Sequence, residues 1–80
     1  MDKKILLANM DRIHTTEMGI KRIKRNLKLT TEDIVSYCKK QIENKNCQIH
    51  KQGKNWYCQI DNVVITINTS SYTIITAHII

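Results

Sequence analysis

The spacing of apolar residues changes once along this chain, near Cys47, and the change divides it in two. Before that point apolar positions recur every three or four residues, and after it they alternate, so helices are expected first and strands second. Leu6, Met10 and Ile13 stand at i, i+4 and i+7 and predict a first helix from Lys3 to about Arg12, with Asp2 as its N-cap. His14-Thr15-Thr16-Glu17 is a second helix start, whose cap falls on one of its first three residues. Ile20, Ile23 and Leu27 then form a narrow apolar stripe, with Lys21, Lys24 and Lys28 beside it and Arg22 and Arg25 further round. Gly19 inside this helix costs up to about 1 kcal/mol relative to Ala, which marks a place of close packing. A third helix is expected from Thr30 to about Glu43. Thr30 is its N-cap, Asp33 stands at the capping-box position, Leu29 and Ile34 act as a hydrophobic staple, and Ile34, Val35, Cys38 and Ile42 share one face.

The alternating segment carries its own register. Gln52-Gly53 and Asp61-Asn62 read as two-residue hairpin turns, the second of type I′, and Thr69 to Ser71 as a three-residue loop. Pairing outward from them sets Ile49 opposite Trp56, Cys58 opposite Ile65 and Ile65 opposite Ile75. One face is then Cys47, Ile49, Trp56, Cys58, Ile60, Val63, Ile65, Ile67, Ile75, Ala77 and Ile79, and it goes under the helices. The other is Gln48, His50, Tyr57, Gln59, Val64, Thr66, Asn68, Tyr72, Ile74, Thr76 and His78. The expected fold is therefore α+β, with three N-terminal helices packed on one face of a four-stranded antiparallel meander. Eighty residues make a single domain, helical and basic over 1–45 and antiparallel sheet over 46–80.

Charge sharpens the division. All thirteen Lys and Arg lie at or before Lys54, as do six of the seven acids, and only Asp61 is charged beyond it. The chain up to Lys54 carries a net charge of +7, thirteen cations less six acids, and the remainder −1, an asymmetry that favours a polyanionic partner, most often nucleic acid or an anionic surface. No acid follows Glu17 in the second helix, so Lys21, Arg22, Lys24, Arg25 and Lys28 are the expected nucleic-acid-binding residues. The polar sheet face offers hydroxyls, amides and imidazoles, which hydrogen-bond a ligand at little desolvation cost. Cys38, Cys47 and Cys58 match no zinc-ligand spacing, so neither metal nor cofactor is expected. An odd cysteine count without a signal peptide points to the reducing cytoplasm, and no apolar run is long enough for a membrane span. The last strand, ending Thr76-Ala77-His78-Ile79-Ile80, has no charged gatekeeper and could join a second chain or a protein partner edge to edge.

Three helices before four strands, with a basic helical half and a polar sheet face, resemble the Barnase–EndoU–colicin–RelE class of small RNases, metal-independent toxins and phage or bacterial nucleases. At closer range IHTTEMGIKRIKRNL, GKNWYCQIDN and SYTIITAH are similar to a family of short bacterial and phage-borne proteins of unknown function, over most of the chain. That family's recurring polar residues fall on His14, Thr15, Thr16, Tyr72, Thr73, Thr76 and His78. The RNase resemblance implies acid–base cleavage of RNA. His14 and His78 would supply base and acid, with Thr16, Thr76 and Tyr57 around them and the cations of the second helix on phosphate. Such a pair must lie within about 8 Å to flank one phosphodiester. The chain departs from that class in lacking a Glu-and-His pair of the barnase type and any Arg or Lys in its last strand. An RNA-directed domain that is an endoribonuclease is thus one expectation, and a non-catalytic module that binds nucleic acid or protein, such as a phage or mobile-element inhibitor, is the alternative.

Overall fold

The computed structural model describes residues 2–31 and 33–80. Three α-helices, α1 (Asp2–Leu7), α2 (Glu17–Leu27) and α3 (Ile34–Glu43), precede four strands, β1 (Gln48–Gln52), β2 (Asn55–Ile60), β3 (Val63–Asn68) and β4 (Ile74–Ile79). The strands form one antiparallel sheet in the order β1-β2-β3-β4. Helix residues Leu6, Ile23, Leu27, Ile34, Cys38 and Ile42 share one buried cluster with Trp56, Cys58, Ile60, Ile65, Ile67, Ile74 and Ala77 of the sheet. α2 lies against β4, α1 against β1, and α3 against α2 and β2.

The first helix is shorter than the apolar spacing predicts. It already contains Asp2, which is therefore not its N-cap, and it ends at Leu7. Asn9 leaves the α conformation (φ −121°, ψ 26°) while its side-chain amide donates back to the Ile5 carbonyl at 2.8 Å. A single 3₁₀ turn, Met10–Arg12, then brings Leu6 and Ile13 to the core and delivers an extended Ile13 to the sheet edge.

α2 is capped by Thr16, whose hydroxyl accepts from the Gly19 amide at 3.0 Å. It closes with Lys28 in the left-handed region (φ 54°), the Leu29 amide donating to the Lys24 carbonyl and the Lys28 amide to that of Arg25. This is a Schellman closure. Because Leu29 is spent on closing α2, the next helix cannot begin at Thr30. Asp33 is the N-cap of α3 instead, accepting from the Ser36 amide at 2.9 Å. The expected helical position of Glu32 lies outside the described residues.

The hairpins keep the expected faces but not all the expected partners. The first turn is Gly53-Lys54, with Gly53 at φ +61°, a value only glycine takes freely. Ile49 therefore faces Cys58 rather than Trp56, a slip of two residues that leaves every side chain on its face. In the second turn Asp61 alone has positive φ, so the turn is not type I′. β2 and β3 pair as expected, with Trp56 on Ile67 and Cys58 on Ile65.

The third connection departs most. The Asn68 side-chain oxygen accepts from the amides of Ser70 and Ser71, both at 2.9 Å, and the loop runs through Tyr72, itself at φ 59°. The extra residue reverses the alternation, and a bulge between Ile74 and Thr76 restores it. Ile65 consequently pairs with Ala77, not Ile75. Tyr72 and Ile74, expected on the open face, are buried at 6% and 1% exposure, while Ile75 and Ile79, expected in the core, are 37% and 47% exposed. Trp56 is buried as expected and packs on Tyr72 with ring centroids 5.2 Å apart.

Candidate nucleic-acid interface

The polar face of the sheet is ordered in rows by the register. His50 pairs with Tyr57, Tyr57 with Thr66 and Thr66 with Thr76, so one row crosses all four strands. The rings of His50 and Tyr57 stack, with centroids 5.6 Å apart and planes 25° from parallel. The Asn55 amide donates to the Tyr57 hydroxyl at 3.4 Å. Thr66 in the middle of the row is 7% exposed, Tyr57 and Thr76 are half-buried, and His50 is exposed. Gln52, Asn55 and Asn68 form the row on one side, and Gln48, Gln59, Val64 and His78 the row on the other. No Lys, Arg, Asp or Glu stands at any of these positions.

Asn26 of α2 joins this face to the basic helix. Its amide donates to the Ala77 carbonyl at 3.2 Å and to the Thr76 hydroxyl at 3.5 Å, which fixes α2 alongside β4. At 100° per residue Arg22 follows Asn26 round the helix, then Met18 and Arg25, then Lys21 and Lys28. Arg22, Arg25, Lys21 and Lys28 are exposed and Lys24 is half-buried. Met18, Lys21, Arg22 and Arg25 line a shallow depression, and no ion pair to the five cations of α2 is found among the described residues. Four of the five predicted cations, Arg22, Arg25, Lys21 and Lys28, thus form an exposed ridge bordering the polar face at its β4 side, and Lys24 lies off it, half-buried.

The predicted catalytic residues do not converge. His14 forms a parallel bridge with Thr73, its amide donating to the Tyr72 carbonyl and its carbonyl accepting from the Ile74 amide. Its Nδ1 lies 2.9 Å from the Arg12 carbonyl. A carbonyl can only accept, so Nδ1 donates to it, and Nε2 lies 3.1 Å from the Thr73 hydroxyl. Thr73 is in turn 2.8 Å from the Ser71 hydroxyl. His78 stands opposite Val64, whereas Thr73 is bonded to Asn68, four residues further along β3. That separates His14 from His78 by roughly 13 Å along the strand, beyond the span of one phosphodiester. Thr16 is engaged as the cap of α2, and Thr76 and Tyr57 lie together in the central row.

The edge of β4 is also not free along its first half. The Ile74 amide is held by His14, the Ile74 carbonyl by the Thr15 hydroxyl at 2.9 Å, and the Ala77 carbonyl by Asn26. Of the stretch expected to join edge to edge, Thr76 to Ile80, these contacts hold the Ala77 carbonyl. Among the described residues no helix is long and apolar enough to cross a membrane.

Sequence reasoning passed over Asn26, and it placed Ser71 in the third loop without its hydroxyl contact to Thr73. Asn26 is the one uncharged polar residue among the cations of α2 and borders its apolar stripe, a position that marks a helix-to-sheet hydrogen bond. Asn68-Thr69-Ser70-Ser71 is an Asx-turn pattern, which announces the longer loop.

The three thiols belong to the core, not to this face. Cys38, Cys47 and Cys58 are all buried and free. Burial pushes the Cys38 thiol up to about 12. Cys58 donates to the Cys47 sulfur; that bond, with burial, raises Cys58, and the same bond, helped by the Lys3 charge, lowers Cys47 against the opposing effect of burial.

Comparison with known proteins returns one match. Residues 7–78 fit the family model described as "Protein of unknown function (DUF3781)", and no curated protein and no solved structure matches. With the match running from the end of α1 to His78, the chain belongs to the DUF3781 family of proteins of unknown function.

Proposed function

We propose that this protein is an RNA-binding module that acts without cleaving its ligand. The observation that carries this reading is the Asn26 contact with Thr76 and Ala77, which sets an unneutralised cationic helix face directly against a polar, charge-free sheet face. The reading takes all three helices to cover the opposite face of the sheet. Phosphates then run along Arg22, Arg25, Lys21 and Lys28, where counterion release supplies most of the affinity. Hydroxyls and amides of the sheet meet sugars and bases. The separation of His14 from His78 favours binding over the acid–base cleavage that the RNase resemblance implies. His14 instead ties the segment before α2 to the start of β4.

Fluorescence anisotropy with a labelled RNA of mixed sequence, in buffer containing EDTA, tests the reading. The expected result is saturable binding that weakens steeply with added salt, with the RNA recovered at full length. Absence of binding at low ionic strength, or an affinity indifferent to salt, removes RNA from the reading. RNA shortened by the wild type and not by a His14→Ala variant restores the nuclease.

A further inference from the structure

We infer that the polar sheet face takes unpaired nucleobases, so that the ligand is single-stranded RNA lying across the strands from the His50–Tyr57 stack toward α2. This deepens the RNA-binding reading and rests on it.

Each half of the surface can contact a different part of a nucleic acid. A duplex offers a partner its phosphates and grooves and keeps its bases stacked inside. Laid over the rows of the sheet it would meet no charged side chain, because Lys51 stands at the alternate, Trp56-paired position of β1, Lys54 lies in the first turn, and the ridge of cations is on α2, past the β4 side. A single strand has two sides of different chemistry, a charged backbone and exposed ring faces. The surface has the same two sides. Its cations lie along one border and its rings on the far strands, with neutral hydrogen-bonding groups between them.

The rings are already placed for stacking. His50 and Tyr57 are cross-strand partners with nearly parallel planes, and the His50 ring is exposed on the edge strand. A base can continue that stack, an interaction indifferent to sequence because every base has a ring face. From β1 to β4 the central row spans three strand spacings, roughly 14 Å. That width, with the helix beyond it, suits a segment of about four or more nucleotides, the lower end of what small single-strand-binding domains cover. The half-buried Thr76 supplies a hydroxyl along the way, and Asn26 stands where the row meets the cations.

The test compares one RNA sequence as a single strand and as a duplex, by anisotropy, for the wild type and for His50→Ala, Tyr57→Leu and Thr66→Val. Thermal melts accompany each variant. His50 is exposed and its replacement leaves the fold intact, so it carries the test even if the half-buried Tyr57 does not tolerate change. The single strand is expected to bind at least tenfold more tightly than the duplex. His50→Ala is expected to weaken single-strand binding about tenfold, in line with loss of one stacked base, with the salt slope unchanged. Equal or tighter binding of the duplex overturns the inference. So does a His50→Ala variant that binds as the wild type does. In both cases salt-dependent RNA binding persists and the broader reading stands. Loss of all RNA binding in the wild type is the distinct result that overturns both.

Discussion

At the scale of single residues, two backbone positions and one ring decide most. A Cβ on Gly19 would collide with the Thr15 hydroxyl, which is held by the Ile74 carbonyl. Gly19→Ala should therefore destabilise by about 1 kcal/mol although Ala is the better helix former, because relief of the clash breaks that bond. Lys28 sits at a left-handed helix terminus where glycine is preferred. Lys28→Gly should raise the stability by roughly 0.5–1 kcal/mol, and the denaturation midpoint with it, since relief of the backbone strain outweighs the added chain entropy. Trp56 is buried with its indole nitrogen unpartnered, between Tyr72 and the core, while the Arg12 guanidinium lies 4.4 Å from the centre of the Tyr72 ring. Trp56→Ala should cost about 3–5 kcal/mol, most of the stability of a domain this size. Trp56→Phe should cost clearly less, because it keeps an aromatic ring and deletes the unsatisfied donor. Urea denaturation of the four variants checks all of these changes.

At the scale of elements, β4 and α2 act as one unit. Asn26→Ala should lower stability by about 1 kcal/mol in urea denaturation, and it should also loosen the junction between cations and sheet. These elements also show what the sequence can and cannot disclose. The period change near Cys47, the stripe of α2 and the faces of β1 to β3 were legible because each rests on side-chain alternation alone. The β1–β2 slip went unseen because a shift of two residues leaves that alternation intact. The loop from Asn68 to Tyr72 was misread because its length is set by backbone amides donating to one side-chain amide oxygen, and the bulge at Ile75 then hides the error by restoring the pattern at Ala77 and His78. The cations of α2 could be named from spacing. Their position beside the polar face could not, since it depends on one contact between residues fifty apart.

At the scale of the molecule, the core and the surface respond to different variables. Thiols raised by burial keep their protons in the folded state after the unfolded chain has lost them, above the ordinary value of 9.0. Below that pH both states are protonated. Above it the unfolded state binds fewer protons, so stability falls as pH rises from 9 toward about 12 for Cys38, by at most about 1.4 kcal/mol per unit. Cys58 adds to the same trend. Urea midpoints at rising pH should show the decline, and Cys38→Val should make it shallower.

The surface responds to salt, and there the central claim is most directly exposed. The measurement is the slope of log affinity for single-stranded RNA against log salt concentration, for the wild type and for Arg22→Ala/Arg25→Ala. Both arginines are exposed, so the fold should survive the change. If α2 carries the phosphates, the variant's slope should be flatter by about 1.4, two contacts at about 0.7 each. A variant that binds RNA with the wild-type slope would show that the phosphates lie elsewhere and would contradict the account.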